Sequence, residues 1–415
     1  MGKEIYRYVG ALNMLKVVAV ETAVEIIKEN FSDITSRTEI VSLEKSLGRA
    51  LAEDIISKEN IPAFDRSTVD GYAVRATDTY GSGESIPAQL DIIGEILMGE
   101  EALIIPKDGQ CVKISTGGML PEGADSVIMV ENTDNSFGDM CLVYKSVSPY
   151  ENVNRKGDDI KENALIYTKG RKITSKEIGV LAALGISEVT VFRKPKVGII
   201  STGDEIVSVD TPLTFGKIRD INSHILSALM RENGCEATLY GIVRDEYDAI
   251  LSVMKKAVSE NDIVLISGGS SAGARDMTVD IISKLGEVYL HGIAMKPGKP
   301  TIVGKIDGKA VFGLPGHPVA SYFVTLRLVK SLVDIMLCRN DNARRIKSKM
   351  LQNISSNHGR EEILCVKLTD EGAIPVYGKS GVISLLSESD GYIIIDRNCE
   401  GLKAGDETEI YLFQE

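Results

Sequence analysis

The stretch Ile263-Val264-Leu265-Ile266-Ser267-Gly268-Gly269-Ser270-Ser271-Ala272-Gly273 is a short apolar run that ends in a polar, glycine-rich loop. A continuous apolar run of this length, bounded by turn residues, reads as a strand buried on both faces. The same arrangement recurs on either side. Upstream, Lys196 to Ser201 leads into Ser201-Thr202-Gly203-Asp204-Glu205, and Ala237 to Val243 leads into Arg244-Asp245-Glu246. Downstream, Lys296-Pro297-Gly298-Lys299-Pro300 precedes the run Thr301 to Lys305, and Ala310 to Gly313 leads into Gly313-Leu314-Pro315-Gly316-His317-Pro318. Asp307-Gly308 marks a hairpin between those last two runs. Helices are expected over Ser223 to Asn233, capped by Asn222 and stopped by Gly234, and over Glu246 to Glu260, Thr278 to Leu285 and Val319 to Leu337. Strands alternating with helices through short links predict a mostly parallel sheet in a three-layer α/β unit. Loops at the carboxyl ends of such strands gather at one edge, where ligands bind.

Carboxylates, backbone donors and lysines would converge there, which is the chemistry of a phosphorylated, metal-assisted substrate. The glycines of Ser267 to Gly273 permit close backbone approach, and the loop amides can cradle an anion. The loop also fits Gly-x-Ser-x-Gly, with Ser271 as candidate nucleophile. Ala274-Arg275-Asp276-Met277 intervenes before the expected helix and speaks against that elbow; a plain structural turn is the third reading. Prolines bracket Lys296 and Lys299 and present both ammonium groups with little ordering entropy, which suits an oxyanion. The plain alternative is two solvated lysines on a turn. Asp204, Glu205, Asp245, Asp276 and Asp280 lie on or near the same edge. Any one could be a turn or cap residue, but several at successive strand ends beside phosphate imply magnesium. Gly378-Lys379-Ser380 looks like the end of a P-loop, yet Gly372 is out of register and no helix is expected after it. No Gly-x-Gly-x-x-Gly opens a helix. An ATPase and a dinucleotide dehydrogenase both lose support.

The 415 residues suffice for two to four domains. Charged residues at 26% and hydrophobic ones at 43% are ordinary for a soluble globular protein. A net charge of -12 argues against a nucleic-acid binder, so anionic ligands must be held by local lysines and arginines. Trp is absent and aromatics are sparse, which disfavours base stacking. Cys111, Cys141, Cys235, Cys338, Cys365 and Cys399 are scattered without a Cys-x-x-Cys pair, as expected of reduced cytosolic thiols. Lys16 interrupts the only stretch resembling a signal sequence, Val9 to Val20, which runs into an amphipathic helix with Val20, Ala23, Val24 and Ile27 on one face. Arg327, Lys330 and Asp334 exclude a membrane span in Val319 to Leu337. A cytoplasmic protein is expected.

Texture divides the chain further. Residues 1–56 read as mainly helical. Residues 57–150 read as strand-rich, with frequent Gly, Pro and Asp turns. A helix returns within residues 151–193, where Thr174 and Glu177 form a capping box and Gly185 ends the run. The strand-rich segment is therefore expected as an insertion between two halves of one helical or mixed domain. The α/β unit occupies 194–337, and the tail 338–415 is expected to form a small β-barrel or sandwich.

Three stretches of the first half are rich in turn residues and carboxylates: Pro62 to Ala73, Thr116 to Asp125 and Arg155 to Asp159. On local physics each is a structured turn. Taken in order with Ser-Thr-Gly-Asp-Glu, Ser-Gly-Gly, Lys-Pro-Gly-Lys-Pro and Leu-Pro-Gly-His-Pro, they closely resemble the molybdopterin molybdenumtransferase family, the group that includes bacterial MoeA and the E domain of gephyrin. The match runs from about Met14 over nearly the whole chain. The resemblance implies conversion of adenylylated molybdopterin and molybdate into molybdenum cofactor, with Mg2+ and release of AMP. It implies elongated homodimers of four-domain subunits with a cleft shared between subunits, and a molybdopterin adenylyltransferase as substrate donor. Carried over by motif, Glu205, Asp245 and Asp276 would surround the magnesium and the phosphoanhydride. Lys296 and Lys299 would hold phosphate or molybdate, helped by Arg360 and Ser380. Ser267, Gly268, Gly269, Ser270, Pro315 and Gly316 would contact the pterin substrate, and Asp70, Thr116 and Asp159 would come from the first half across the dimer. His291 replaces a family lysine, His317 a common asparagine and Ala320 a serine, and these departures bear on oxyanion choice. Two rivals stand beside the transferase: a molybdopterin-binding scaffold of the same fold with weak turnover, and a hydrolase using Ser271.

Overall fold

The structure, a computed structural model, describes residues 17–34, 37–268, 272–340 and 343–413, without the side chains of 272–275. The apolar runs form a six-stranded sheet in the order Glu236–Val243, Lys196–Thr202, Ile263–Gly268, Lys309–Leu314, Ile302–Ile306, Gly286–His291. The first four strands are parallel. The last two are antiparallel, and one of their two connections is the hairpin at Asp307-Gly308, where both residues take positive φ. Successive side chains of the central strands point to opposite faces and divide two cores. Ile199, Leu265 and Phe312 pack with Leu226, Phe323 and Leu332 from the helices Asn222–Glu232, Pro318–Val324 and Lys330–Met336. Ile200, Val264 and Val311 pack with Met254 and Ile282 from Tyr247–Glu260 and Ala272–Leu285. Each fully buried side chain of this kind contributes about 1.5–3 kcal/mol.

Several expectations shift. The helix expected from Thr278 begins at Ala272; Ala272, Ala274, Arg275 and Met277 are good helix formers, and the run extends through Gly273 and Asp276 without a proline. Asp276 therefore sits inside the helix, and Ala274 to Met277 is no spacer. Asn222 is the first helical residue, and Asp220 supplies the cap by accepting the Ser223 N–H at 3.1 Å. The expected long helix after Pro318 contains one π turn, Thr325–Val329, before continuing to Met336.

Among its described residues, the opening segment is not mainly helical. Its one described α-helix is Val20–Phe31, which buries Val20, Ala23, Ile27 and Phe31 in the core of the α/β unit; a single 3-10 turn follows at Leu43–Lys45. Beyond it, Thr38–Ser42 is a strand paired antiparallel with Glu188–Phe192, so the flanks of the strand-rich segment meet. The helix Ser175–Ala183 carries the Thr174–Glu177 capping box, and Gly185 follows at positive φ. Between these flanks lies a second six-stranded sheet, in the order Ser126–Met129, Gly71–Val74, Gln110–Ile114, Ala88–Ile96, Met140–Val143, Thr133–Asp134.

The tail sheet has a feature that positions the site. Its order is Met295–Lys296, Glu361–Thr369, Gly391–Ile395, Glu407–Leu412, Arg345–Lys349, with Gly372–Pro375 added beside Glu361–Thr369. A bridge between Met350 and Ala373 brings its two sides together, so the sheet curls. The edge pair Met295–Lys296 belongs to the lysine loop of the α/β unit, in register with Glu361–Glu362. Arg327 clamps the same joint, donating from Nε and Nη2 to the Glu361 carboxylate at 3.1 and 2.9 Å. Burial pushes the Glu361 carboxyl up, and Arg327 pulls it back only in part. Among the described residues, no helix is long and apolar enough to cross a membrane. All six cysteines are free, four of them buried.

Candidate functional site

Where the lysine loop enters the tail sheet, a cleft of about 670 Å3 opens between the α/β unit and the tail. Lys296, Lys299, Pro315 and His317 line it from one side; Arg360, Glu362, Lys379 and Ser380 line it from the other. Phe323, Val376 and Leu385 give it an apolar wall. Lys296 Nζ lies 2.7 Å from Glu362 Oε1, whose side chain is 12% exposed against 47% for the lysine. Lys296, Lys299, Arg360 and Lys379 thus face a single lining carboxylate, Glu362, in a chain whose overall charge is -12. The field here is local and positive, as capture of an anion requires. Ser380 Oγ sits 2.8 Å from His317 Nδ1.

A second group lies at the strand ends behind the Pro315-Gly316 loop. Asn222 Nδ2 donates to Ser267 Oγ at 2.7 Å and to the Gly316 carbonyl at 2.8 Å, tying the anion loop to the proline loop. Gly268 has φ +140°, and a Cβ there would stand 1.9 Å from the Thr202 carbonyl, so only glycine fits. Burial, then the charges of Asp204 and Glu205, push the Asp245 carboxyl up, and a Thr202 hydrogen bond pulls back. Asp245 Oδ1 is buried with no hydrogen-bond partner among the described residues. Asp276 is half-buried in its helix. Gly269, Ser270 and Ser271 lie outside the described residues. No three metal-ligating side chains already converge among the described residues. Mutually repelling acids and an unbonded carboxylate oxygen nonetheless suit a divalent cation drawn in with its ligand.

The sign of the Asp245 shift gives a test. Its folded-state pKa is raised, so ionised Asp245 destabilises the fold above the unfolded carboxylate value of about 3.9, and the cost disappears as pH falls below it. Asp245→Asn is expected to raise the melting temperature by a few degrees at pH 7 without magnesium, and by nothing near pH 3. Magnesium should then stabilise the unsubstituted protein and not the variant. An equal magnesium effect on both would remove Asp245 from the metal set.

The third group is in the strand-rich half. Asp70 Oδ1 accepts the Thr116 N–H at 2.7 Å and its hydroxyl at 3.0 Å. The N–H first, then the hydroxyl, hold the Asp70 carboxyl below the usual range. Around this pair the three turn-rich stretches interlock. Arg66–Ser67 pairs with Val153–Asn154, Ser67 exchanges backbone hydrogen bonds with Gly117 and Gly118, and Asp65 accepts the Lys156 N–H at 2.7 Å. Asp159 is exposed on the same assembly, its N–H bonded to the Ile61 carbonyl. None of Asp70, Thr116 or Asp159 lines the cleft of the same chain.

Lys379, in a stretch that fails as a P-loop, is a cleft cation beside the expected site residue Ser380. Asn222, expected as a cap, bridges two loops instead. His291 is buried in its strand and does not line the cleft, whereas Ala320 does. Ser321, beside it, is buried with its hydroxyl unbonded among the described residues, so it does not replace the missing serine in the cleft.

Acids at strand ends and cations in an adjoining cleft separate two anion-binding duties, as in group-transfer enzymes that handle phosphorylated ligands. Comparison with known proteins narrows that class. Residues 18–185 match the MoeA N-terminal region (domain I and II), 198–334 a domain described as "Probable molybdopterin binding domain", and 347–413 the MoeA C-terminal region (domain IV). The molybdopterin molybdenumtransferase of Staphylococcus aureus strain COL is 33% identical over 402 residues, 95% of each chain. A Methanocaldococcus jannaschii protein, provisionally named a molybdopterin biosynthesis protein, is 36% identical over 96% of this chain and 98% of its own length. A crystal structure of the MoeA protein of Pyrococcus horikoshii has a TM-score of 0.84 at 33% identity, covering 96% of this chain and all of that one. The chain belongs to the MoeA family of molybdopterin molybdenumtransferases, enzymes of molybdenum-cofactor biosynthesis.

Proposed function

We propose that this enzyme inserts molybdate into adenylylated molybdopterin in the presence of Mg2+, releasing AMP and yielding molybdenum cofactor. The observation that carries the reading is the cleft in which Lys296, Lys299, Arg360 and Lys379 converge beside the Ser267 and Pro315-Gly316 loops. The Ser267-Gly268 loop holds the phosphate side of the substrate against Glu205, Asp245 and Asp276. Magnesium bound by those acids would supply neutralising charge at the phosphoanhydride. Water opens that anhydride, which leaves AMP on one side and the pterin phosphate on the other. Lys296 and Lys299, with Arg360 and Ser380, fix molybdate beside the dithiolene sulfurs, so orientation supplies much of the rate. No protein nucleophile is needed, which leaves Ser271 without a catalytic duty.

Asp70, Thr116 and Asp159 complete the site from the second subunit of a homodimer. Segments 1–56 with 151–193, 57–150, 194–337 and 338–415 act as its four domains. A molybdopterin adenylyltransferase hands over the substrate, and the setting is the cytoplasm. The test is AMP release from adenylylated molybdopterin with magnesium, with and without molybdate. Molybdate-dependent release is expected; tight binding without release would leave a scaffold protein instead.

A further inference from the structure

We infer that His317 is a proton-responsive positioning residue that tunes oxyanion binding through Ser380. The inference rests on reading the cleft as the molybdate site. Ser380 Oγ and His317 Nδ1 are 2.8 Å apart, and both residues line the cleft. A serine hydroxyl has one hydrogen to donate. With His317 neutral and its proton on Nε2, Nδ1 is an acceptor, so Ser380 gives its hydrogen to the ring and turns lone pairs toward the cleft. With His317 protonated, Nδ1–H donates to Ser380 Oγ, and the hydroxyl hydrogen is released to point at an oxyanion. From that tautomer, protonation makes Ser380 the acceptor of the His317 bond and, toward the cleft, a donor in place of an acceptor; it also adds positive charge, and both changes favour a bound dianion.

Among the described lining residues this is the one group of its type. The lysine loop on the same side carries Lys296 and Lys299, the tail strand and its approach carry Glu362 and Arg360, and the loop of Ser380 carries Tyr377 and Lys379. None of those side-chain types ordinarily titrates between pH 6 and 8. Burial pushes the remaining lining thiol, Cys365, up to about 11. Histidine is the lining side-chain type whose charge can change in that window. An asparagine at position 317 offers an amide that does not change with pH.

Molybdate binding measured by calorimetry at pH 6 and pH 8 tests this, at concentrations where the anion stays monomeric. Affinity is expected to be about tenfold higher at pH 6, the scale of one charge-assisted hydrogen bond. His317→Asn and Ser380→Ala should each reduce that ratio to less than about twofold. Repeating the titration near pH 7 in buffers of different ionisation enthalpy should show proton uptake on binding, which needs no variant. A wild-type pH ratio in His317→Asn, or no proton uptake, overturns the inference; so does a wild-type ratio in Ser380→Ala, which would have the ring act without the hydroxyl. Failure of the unsubstituted protein to bind molybdate at either pH would remove the molybdate reading as well, whereas binding without the pH ratio removes this inference alone.

Discussion

Replacing Lys296 by alanine is expected to lower turnover by about a hundredfold or more, the scale seen when a preorganised charge at a developing anion is lost. Lys296 is held in the tail-sheet edge by its pairing with Glu362, and its ammonium reaches the Glu362 carboxylate at 2.7 Å. The ammonium is therefore preplaced, and its charge is only partly taken up by that carboxylate. Alanine also leaves Glu362, only 12% exposed, without its counter-charge, so the single variant should be less stable too. Pairing Lys296→Ala with Glu362→Gln separates the two effects. The double variant should recover the melting temperature and remain inactive. Recovered activity in the double variant, or full activity in the single one, would show that Lys296 only offsets Glu362.

The second large effect concerns the two halves of the site. Asp70 and Lys296 lie in separate groups within one chain, and Asp70, held below the usual carboxylate range by Thr116, is not part of the cleft. If each working site takes Asp70 from one subunit and Lys296 from the other, Asp70→Ala and Lys296→Ala are each inactive as homodimers. Coexpressed, they form mixed dimers in which one of two sites is intact. Random pairing then restores about a quarter of the unsubstituted activity. Recovery absent from mixed dimers that have been isolated as such would place Asp70 and Lys296 in the same subunit's site, or Asp70 outside it.

Much of the α/β unit was legible because its signals are local. An apolar run that stops at glycine and serine can be read as a strand end from a few residues, and Asp307-Gly308 marks its own hairpin. Long-range pairing was not legible. Nothing near Asp70 announces that Thr116, 46 residues on, will donate to it twice. The lysine loop looked like a turn of the α/β unit, whereas its first residues form an edge of the tail sheet, a register set by Glu361 and Glu362. Lys379 does not fit a P-loop because Gly372 is out of register, and nothing in its local sequence marks it as a cleft cation. The opening segment misled because one strongly amphipathic helix, Val20–Phe31, lent its character to the Thr38–Ser42 strand beyond it. The family resemblance supplied what local physics lacked: a molybdopterin-related substrate for the site, and the proposal of a second subunit.

The most direct measurement is a single-turnover experiment with adenylylated molybdopterin, magnesium and molybdate, in which AMP released and molybdenum retained on the pterin are counted together. The account predicts that both appear at the same rate, one molybdenum for each AMP, and that Lys296→Ala slows both alike. AMP release with no molybdenum transferred, or pterin binding with neither, would contradict it.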